Sequence, residues 1–200
     1  IANACAATGV SLVGGETAEH PGLLGENEYD VAGAATGVVE ADMMLGPERV
    51  QQGDVVLALG SSGLHSNGFS LVRKIVADNE WSYTDHHPDF SRALGLELLE
   101  PTMLYTQALV SALDAHPGAI HMLSHVTGGG IAQNLSRVLP QSLGVALDRG
   151  TWSPPAVMRV LADAGNYELQ ALEETWNMGI GMIAIVDAAA VAAAVAAAAR

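Results

Sequence analysis

Apolar residues in this chain fall into short continuous runs and into helically spaced stretches, and the two kinds alternate. The continuous runs predict strands at 54–59, 119–123, 143–147 and 180–186, the first of them buried on both faces. The spaced stretches predict helices at 69–77, 101–113, 130–139, 154–164 and 188–199, with a short helical turn at 168–175. Strands that alternate with helices indicate an α/β or α+β domain whose mixed sheet is flanked by helices.

The first 45 residues follow a different pattern. Residues 1–8 look like the second half of a helix that stops at Gly9, and residues 10–13 and 29–40 have the composition of strands. Glycine, proline and glutamine punctuate residues 46–53, which are the best candidate for a domain boundary. Because the chain begins inside a helix, we expect it to be a piece of a longer protein, cut at both ends.

The charge of the chain narrows the classes of partner. Eight Lys and Arg stand against 22 Asp and Glu, for a formal net charge of -14. Such a surface repels phosphate backbones and anionic membranes, so we expect no binding to nucleic acids or membranes. A nucleotide can still be held in a pocket by backbone N–H groups or a metal. The single cysteine, Cys5, excludes an internal disulfide and a cysteine-built zinc site, and it fits a cytoplasmic protein.

The apolar end of the chain raises the question of a membrane span. Residues 178–199 are nearly all apolar and about long enough to cross a bilayer. However, Asp187 lies near the middle, and the second half is mostly alanine, which is a weakly apolar and excellent helix former. We therefore expect a buried strand followed by an alanine-rich helix.

Polar and glycine residues crowd into four stretches next to predicted strands, where α/β sheets place their binding sites. In the first stretch, Gly14 and Gly15 deliver Glu16 and Glu19 just beyond a strand end, where a carboxylate can hold Mg²⁺. The alternative is a plain glycine turn with solvated acids. The fourth stretch, residues 177–182, leads into the last strand, and close packing alone can explain its glycines.

The second stretch, residues 59–68, joins a predicted strand to an amphipathic helix. Ser66 or Asn67 can cap that helix and leave its N-terminal N–H groups for an anion. His65, in the same stretch, can titrate near neutral pH. The alternative is a capping loop with a solvent-facing histidine, but three serines, three glycines, a histidine and an asparagine exceed what capping requires.

The third stretch, residues 124–130, contains three successive glycines between a predicted strand and a predicted helix. Such a run is entropically costly, and close approach to a phosphate would explain it better than a bare turn. His125 stands beside the glycines, in a place that suits proton transfer or charge stabilisation. The alternative is a glycine-rich turn beside a core histidine.

Five motifs, in order over almost the whole chain, resemble one enzyme family. They are LVGGETAEHPG, GDVVLALGSSGLHSNGFSLVRKI, EPTMLY, HVTGGGIAQNLSRVLP and TWNMGIGM, and they are similar to the aminoimidazole ribonucleotide synthetases, or phosphoribosylformylglycinamidine cyclo-ligases. The resemblance implies a two-domain homodimer that requires ATP and Mg²⁺. Phosphate from ATP would activate the formyl amide oxygen of formylglycinamidine ribonucleotide. Attack by the ring nitrogen and loss of phosphate would then close the imidazole in purine biosynthesis.

The same resemblance implies domains and residue roles. Residues 1–45 would end an N-terminal, ATP-binding and dimer-forming domain, and residues 46–200 would be most of a C-terminal domain, so this stretch alone is not expected to catalyse ring closure. His125 and Asn67 match positions of the family's active site, His65 lies in the same loop as Asn67, and we expect all three in catalysis. Glu16 is a candidate metal ligand. The residues expected to bind substrate or phosphate are Ser62, Gly63, Thr127, Gly128, Gly129, Gly130 and Thr17.

A second class of function stays open beside catalysis. The chain could be a non-catalytic module that holds a small phosphorylated ligand, or another member of the same ATP-dependent superfamily, such as a formylglycinamidine ribonucleotide synthetase. The discriminating feature is upstream sequence. An intact glycine-rich loop and aspartate motifs there would support the cyclo-ligase, and their loss would favour a binding protein.

Overall fold

A computed structural model describes residues 1–198, with the side chains of 193, 197 and 198 left aside. The chain divides into two compact units, Ile1–Met44 and Leu45–Arg200. Among the described residues, none of the helices combines the length and the apolar character that crossing a bilayer requires.

The first unit contains one regular element, helix α1 (Ala2–Thr8), which ends at Gly9 in a left-handed conformation with φ 71°. The helix and its stop are therefore confirmed. The strands predicted at 10–13 and 29–40 are wrong, because no two segments of residues 1–44, all of them described, form a ladder. A strand needs a neighbour for its N–H and C=O groups, and valine-rich composition does not supply one.

The second unit is built on a three-stranded sheet of β1 (Val55–Gly60), β2 (Ile120–His125) and β3 (Ile180–Val186). The order is β1-β3-β2, and both outer strands run antiparallel to β3. The α/β class is confirmed, but the described sheet is purely antiparallel and not mixed. Strand β1 is half-buried instead of buried on both faces, and it is an outer strand of the described sheet.

Antiparallel pairing brings the C-terminal ends of β1 and β2 to the same edge of the sheet, where β3 begins. Gly60 pairs with Ile180, and His125 pairs with Met182. The two polar stretches that follow β1 and β2 therefore leave the sheet side by side. This edge is the place to look for a site.

The described residues of the second unit form six helices: α2 (Phe69–Asp78), α3 (Leu94–Leu98), α4 (Thr106–Ala115), α5 (Gly130–Ser136), α6 (Ala156–Ala164) and α7 (Val191–Ala198). Short 3-10 turns occur at Pro47–Arg49, Arg149–Thr151, Leu169–Leu172 and Ala188–Ala190. Helices α2, α3 and α6 share one apolar cluster, and α4 and α7 pack with the sheet in another.

Two predicted elements of the second unit differ from the structure. Residues 143–147 form no strand, although Leu143, Val145 and Leu147 pack against the core. Their alternation reflects burial of side chains, which does not require pairing. Helix α4 begins at Thr106 and not at Pro101, because the backbone of residues 101–103 is bonded to the loop that follows β1.

Candidate active site

Two loops leave the common edge of the sheet. The histidine loop, residues 61–68, joins β1 to α2, and the glycine loop, residues 126–129, joins β2 to α5. The Ser61 N–H donates to the Gly179 carbonyl at 2.8 Å, and the Val126 N–H donates to the Gly181 carbonyl at 3.0 Å. Both loops are thus attached to the beginning of β3.

His65 is buried in the histidine loop, with 5% of its surface exposed and a left-handed φ of 56°. Its Nε2 accepts the N–H groups of Ser62 at 3.2 Å and Met103 at 3.4 Å. Since Nε2 accepts, the neutral ring carries its proton on Nδ1, and that buried atom has no partner among the described residues. Burial lowers the pKa of His65, and the nearby His125 lowers it further. The ring is therefore a neutral, buried acceptor and does not face solvent.

Tyr105 and Gly181 enclose the His65 ring. The Tyr105 hydroxyl donates to the Gly60 carbonyl at 2.6 Å, and the two rings lie 6.3 Å apart. Burial raises the pKa of Tyr105 to about 12. A Cβ at Gly181 would overlap the Tyr105 hydroxyl and lie 2.5 Å from His65 Cε1, so close packing explains this glycine. Sequence reasoning missed Tyr105, although it ends the motif EPTMLY.

Helix α2 is not capped by Ser66 or Asn67, contrary to the prediction. Its N-cap is Gly68, with φ 74° and no side-chain hydrogen bond. A Cβ at Gly68 would lie 2.5 Å from the indole of the fully buried Trp176, so only glycine fits. The amide of Asn67 is half-buried and bonds to no described residue, which leaves it available to a ligand.

The first residues of the histidine loop are held by Asn177, which is fully buried. The Asn177 Nδ2 donates to the Gly63 carbonyl at 2.9 Å, and its Oδ1 accepts from the Ser61 hydroxyl at 3.1 Å. Ser62 donates its hydroxyl proton to the Pro101 carbonyl at 2.6 Å. The polar groups of Ser62 and Gly63 that the resemblance assigned to a ligand are therefore largely used inside the chain. These two Asn177 contacts join residues over 110 positions apart, and no local sequence pattern predicts them.

His125 closes β2 and is exposed. Its position at the strand end leaves the imidazole open to solvent, beside the histidine loop. It lies close enough to His65 for its charge to lower the pKa of that buried ring. Of the two histidines at this edge, His125 is the one that can meet a ligand.

Packing explains two of the three glycines of the third motif. The Gly129 N–H donates to the Glu174 carbonyl at 2.9 Å, and the Gly130 N–H donates to the Thr127 carbonyl at 3.0 Å. Both residues have positive φ, 95° and 64°, and a Cβ at Gly130 would overlap the Glu173 carbonyl oxygen. The N–H groups of Thr127 and Gly128 are left for an anion. Gly128 is exposed, with nothing within 4 Å of a Cβ built there.

Asn134 holds the glycine loop from within the helix that follows. The two hydrogens of its Nδ2 are shared among the carbonyl oxygens of Thr127, Gly128 and Gly130, at 3.2, 3.3 and 2.8 Å. Its Oδ1 lies 3.2 Å from the Thr127 hydroxyl and 3.3 Å from Arg137 Nη1, and both of these donate to it. The loop is therefore shaped by a side chain 6% exposed, which sequence reasoning also missed.

A small pocket of about 180 Å³ lies against the glycine loop, with Gly129, Gln133, Gln170, Glu173, Glu174 and Met178 in its wall. Ligand pockets for molecules of drug or cofactor size usually measure about 300–1,000 Å³. Arg149 neutralises one of the two carboxylates, because it binds Glu173 in a bidentate pair. The pocket alone is too small for a nucleotide.

The predicted metal ligand Glu16 and the predicted substrate residue Thr17 belong to the first unit, far before both loops in the sequence. Glu16 and Thr17 are exposed residues without regular structure. Within residues 1–198, no group of three His, Cys, Asp or Glu side chains is arranged to hold a metal ion. The described residues therefore do not fit Mg²⁺ by themselves, and we derive no step through it.

Comparison with known proteins identifies the relatives of the chain. Residues 51–200 match the family AIR synthase related protein, C-terminal domain. The chain is 50% identical to a phosphoribosylformylglycinamidine cyclo-ligase of Thermosynechococcus vestitus, over 97% of the chain and 56% of that protein. Proteins of the same name from Sorangium cellulosum and Brevibacillus brevis are 45% and 44% identical over 94% and 93% of the chain, and 54% of each is covered.

The resemblance found in the five motifs is therefore confirmed. The chain spans about half the length of the curated relatives it matches. It belongs to the family of AIR synthase related proteins, and residues 51–200 correspond to the C-terminal domain of that family.

Proposed function

We propose that the protein containing this chain is a phosphoribosylformylglycinamidine cyclo-ligase. It converts formylglycinamidine ribonucleotide to aminoimidazole ribonucleotide with ATP, in purine biosynthesis. The observation that carries the proposal is the 50% identity, over 97% of the chain, to a relative of that name. The end of β2 and the loops that follow β1 and β2 support it, because they carry an exposed histidine, an amide that bonds to no described residue and two N–H groups without a described acceptor.

His125 is the proposed group for proton transfer or charge stabilisation at the reacting amide. A histidine imidazole exchanges protons near neutral pH, and this one is exposed at the strand end. The unengaged Asn67 amide orients the substrate by hydrogen bonding. His65, buried and neutral, keeps the loop in shape and does not transfer the proton itself.

The N–H groups of Thr127 and Gly128 are the proposed contacts for a phosphate, since those of Gly129 and Gly130 are occupied. ATP, when bound, supplies the phosphate that turns the formyl amide oxygen into a leaving group. We further propose that ATP and Mg²⁺ are required, and that the protein is a cytoplasmic homodimer.

In this proposal, residues 1–45 end an N-terminal domain that binds ATP and forms the dimer. Glu16 would contact metal and Thr17 the substrate or its phosphate, within that domain. Residues 46–200 belong to the C-terminal domain. The 200-residue stretch alone is therefore expected to show no cyclisation in an ATP-dependent assay, and clear turnover by it would contradict this division of roles.

The test is His125→Gln in the full-length protein. Glutamine keeps bulk and hydrogen bonding but cannot carry the proton, and general acid–base catalysis contributes about 100- to 10,000-fold in rate. We expect a loss of turnover in that range with a normal unfolding midpoint and little change in nucleotide binding.

His116→Gln is the matched control, because His116 lies before β2, at the end of the strand opposite to His125. It should leave turnover unchanged. Wild-type turnover in the His125→Gln variant would remove His125 from the mechanism. Absence of turnover in the wild-type protein, with retained binding of a phosphorylated ligand, would favour the non-catalytic alternative.

A further inference from the structure

The buried side chain of Asn177 joins two distant segments. Besides the contacts to Gly63 and Ser61, its Oδ1 accepts the Gly179 N–H at 2.8 Å. A carbonyl oxygen can only accept and a backbone amide can only donate, so Gly63 and Gly179 fix which end of the Asn177 amide faces each of them. The amide is committed to contacts within the chain and is not a ligand contact.

These contacts add nothing to the pairing of the sheet. Strands β1 and β3 are paired from Val55 and Val186 to Gly60 and Ile180 without Asn177. The Ser61 N–H extends the ladder by one bond to the Gly179 carbonyl, at 2.8 Å. Asn177 instead forms hydrogen bonds beyond the ladder, with the Ser61 hydroxyl and the Gly63 carbonyl.

The conformation of residues 61–63 decides where the rest of the histidine loop lies. The Gly63 carbonyl is contacted from two sides, because the Ser61 hydroxyl lies 2.9 Å from it and shares its single proton between this carbonyl and Asn177 Oδ1. Two residues later, His65 has a left-handed φ that a non-glycine residue adopts only when its surroundings impose it. The bonds from Ser62 and Met103 to His65 Nε2 depend on the same arrangement.

We propose that Asn177 is a positioning residue for the histidine loop. It fixes residues 61–63, and through them it keeps His65 in its buried place and sets the course of the loop towards Asn67. The consequence for catalysis rests on the proposed function, because the loop belongs to that site. The structural consequence does not depend on it.

The structural arm is amide hydrogen exchange in the full-length protein. The Ser62 and Met103 amides report on the loop, since both donate to His65, and the amides of Leu57 and Ile183 report on the sheet. A hydrogen bond contributes about 1 kcal/mol net, so Asn177→Ala should speed exchange at Ser62 and Met103 roughly five- to tenfold. Exchange at Leu57 and Ile183 should stay within about twofold of wild type.

Two further variants keep the test decisive. Ser61→Ala removes the one hydroxyl proton shared by Asn177 and Gly63 and keeps the bonds from Asn177 to Gly63 and Gly179, so it should accelerate the same two amides by a smaller factor. Asn79→Ala removes two asparagine hydrogen bonds at the far end of α2, about 15 Å along the helix, and should leave both amides unchanged. Unchanged loop exchange in Asn177→Ala, or loss of protection throughout the sheet, would overturn the positioning role. If Asn177→Ala does not fold, wild-type exchange at Ser62 and Met103 in the Ser61→Ala variant would overturn the positioning role instead.

The catalytic arm measures turnover of the same variants. A misplaced loop should lower kcat by roughly 10- to 100-fold in Asn177→Ala, with Asn79→Ala equal to wild type. A normal kcat together with accelerated loop exchange would overturn the link to catalysis. A wild-type protein without cyclo-ligase activity would refute the proposed function, and the exchange results would still decide whether Asn177 positions the loop.

Discussion

The histidine loop and the glycine loop leave the same edge of the sheet, and each is organised by one buried asparagine. The two asparagines differ in their distance along the chain. Asn177 reaches Gly63 across 114 positions, whereas Asn134 binds carbonyl groups only four to seven positions before it. The histidine loop therefore takes its shape from tertiary structure, and the glycine loop takes much of its shape from the helix that follows it.

The remaining supports of the two loops follow the same division. His65 is bonded to Met103, and Tyr105 closes the pocket around it, so a third segment helps to hold the histidine loop. The glycine loop is also bonded to distant backbone, to Gly181 through the Val126 N–H and to Glu174 through the Gly129 N–H, but its carbonyl groups are held from its own helix. Local contacts form together with their own helix, whereas distant ones need the whole unit folded. A variant in one loop should therefore disturb that loop selectively.

The largest effect should come from Gly130, just after the glycine loop, where the chain packs against the distant backbone of Glu173. Gly130→Ala places a Cβ against the Glu173 carbonyl oxygen, at a residue with φ 64°. Left-handed strain and overpacking together should lower the free energy of unfolding by about 3 kcal/mol or more. Gly128→Ala, in open space two residues earlier, should change it by less than about 0.5 kcal/mol.

Urea unfolding of both variants measures the difference. Equal stability of Gly130→Ala and Gly128→Ala would show that the glycine loop does not pack on Glu173 as described. If the two variants differ as expected, Gly128→Ala is the better variant for testing phosphate binding, because it alters the loop without destabilising its packing.

A smaller and more local effect is expected for Asn134→Ala. The variant removes the donor to three carbonyl groups, two of them near solvent, so the unfolding free energy should fall by about 1–2 kcal/mol. Hydrogen exchange should accelerate at residues 126–130 and stay unchanged at Ser62 and Met103. Accelerated exchange in both loops would mean that they form one cooperative unit, against the division argued above.

Tyr105→Phe should cost less again. It removes the hydroxyl that donates to the Gly60 carbonyl at 2.6 Å, which is worth about 1 kcal/mol. The phenol also has a pH signature, because its pKa of about 12 lies above the ordinary value near 10. The folded state keeps this proton while the unfolded state loses it, so stability falls as pH rises from about 10 to about 12. Phenolate absorbance, compared between wild type and variant, should show the late titration, and its absence would place Tyr105 in contact with water.

The same division explains how much could be read from the sequence. Strand β3 and helices α2 and α6 were predicted well because continuous or helical apolar spacing is a local property. The strands at 10–13, 29–40 and 143–147 were wrong, because that spacing reports buried or apolar side chains and cannot say whether a pairing partner exists. For the same reason, the antiparallel sense of the sheet could not be read.

At the site, the sequence located both loops but not their supports. His65, Asn67 and His125 were all singled out; His125 ends β2 near His65, and Asn67 follows His65 in the histidine loop. The buried state of His65, the capping by Gly68 and the roles of Asn177 and Gly130 arise from contacts with distant segments. The sequence pattern of one loop does not predict its contacts with distant segments.

The last prediction concerns the pH dependence that the buried His65 adds to stability. Burial and His125 lower its pKa in the folded state, whereas the unfolded chain titrates near the ordinary value of about 6.5. As pH falls below about 6.5, His65 is protonated more fully in the unfolded state than in the folded state. The free energy of unfolding therefore decreases in that range. The slope cannot exceed about 1.4 kcal/mol per pH unit for one proton. His65→Gln keeps an acceptor where Nε2 stands and cannot titrate, so its unfolding free energy should fall less steeply between pH 6.5 and 5 than that of wild type. Parallel pH profiles would show that folding does not lower the pKa of His65, and the histidine loop would then not be closed around the ring.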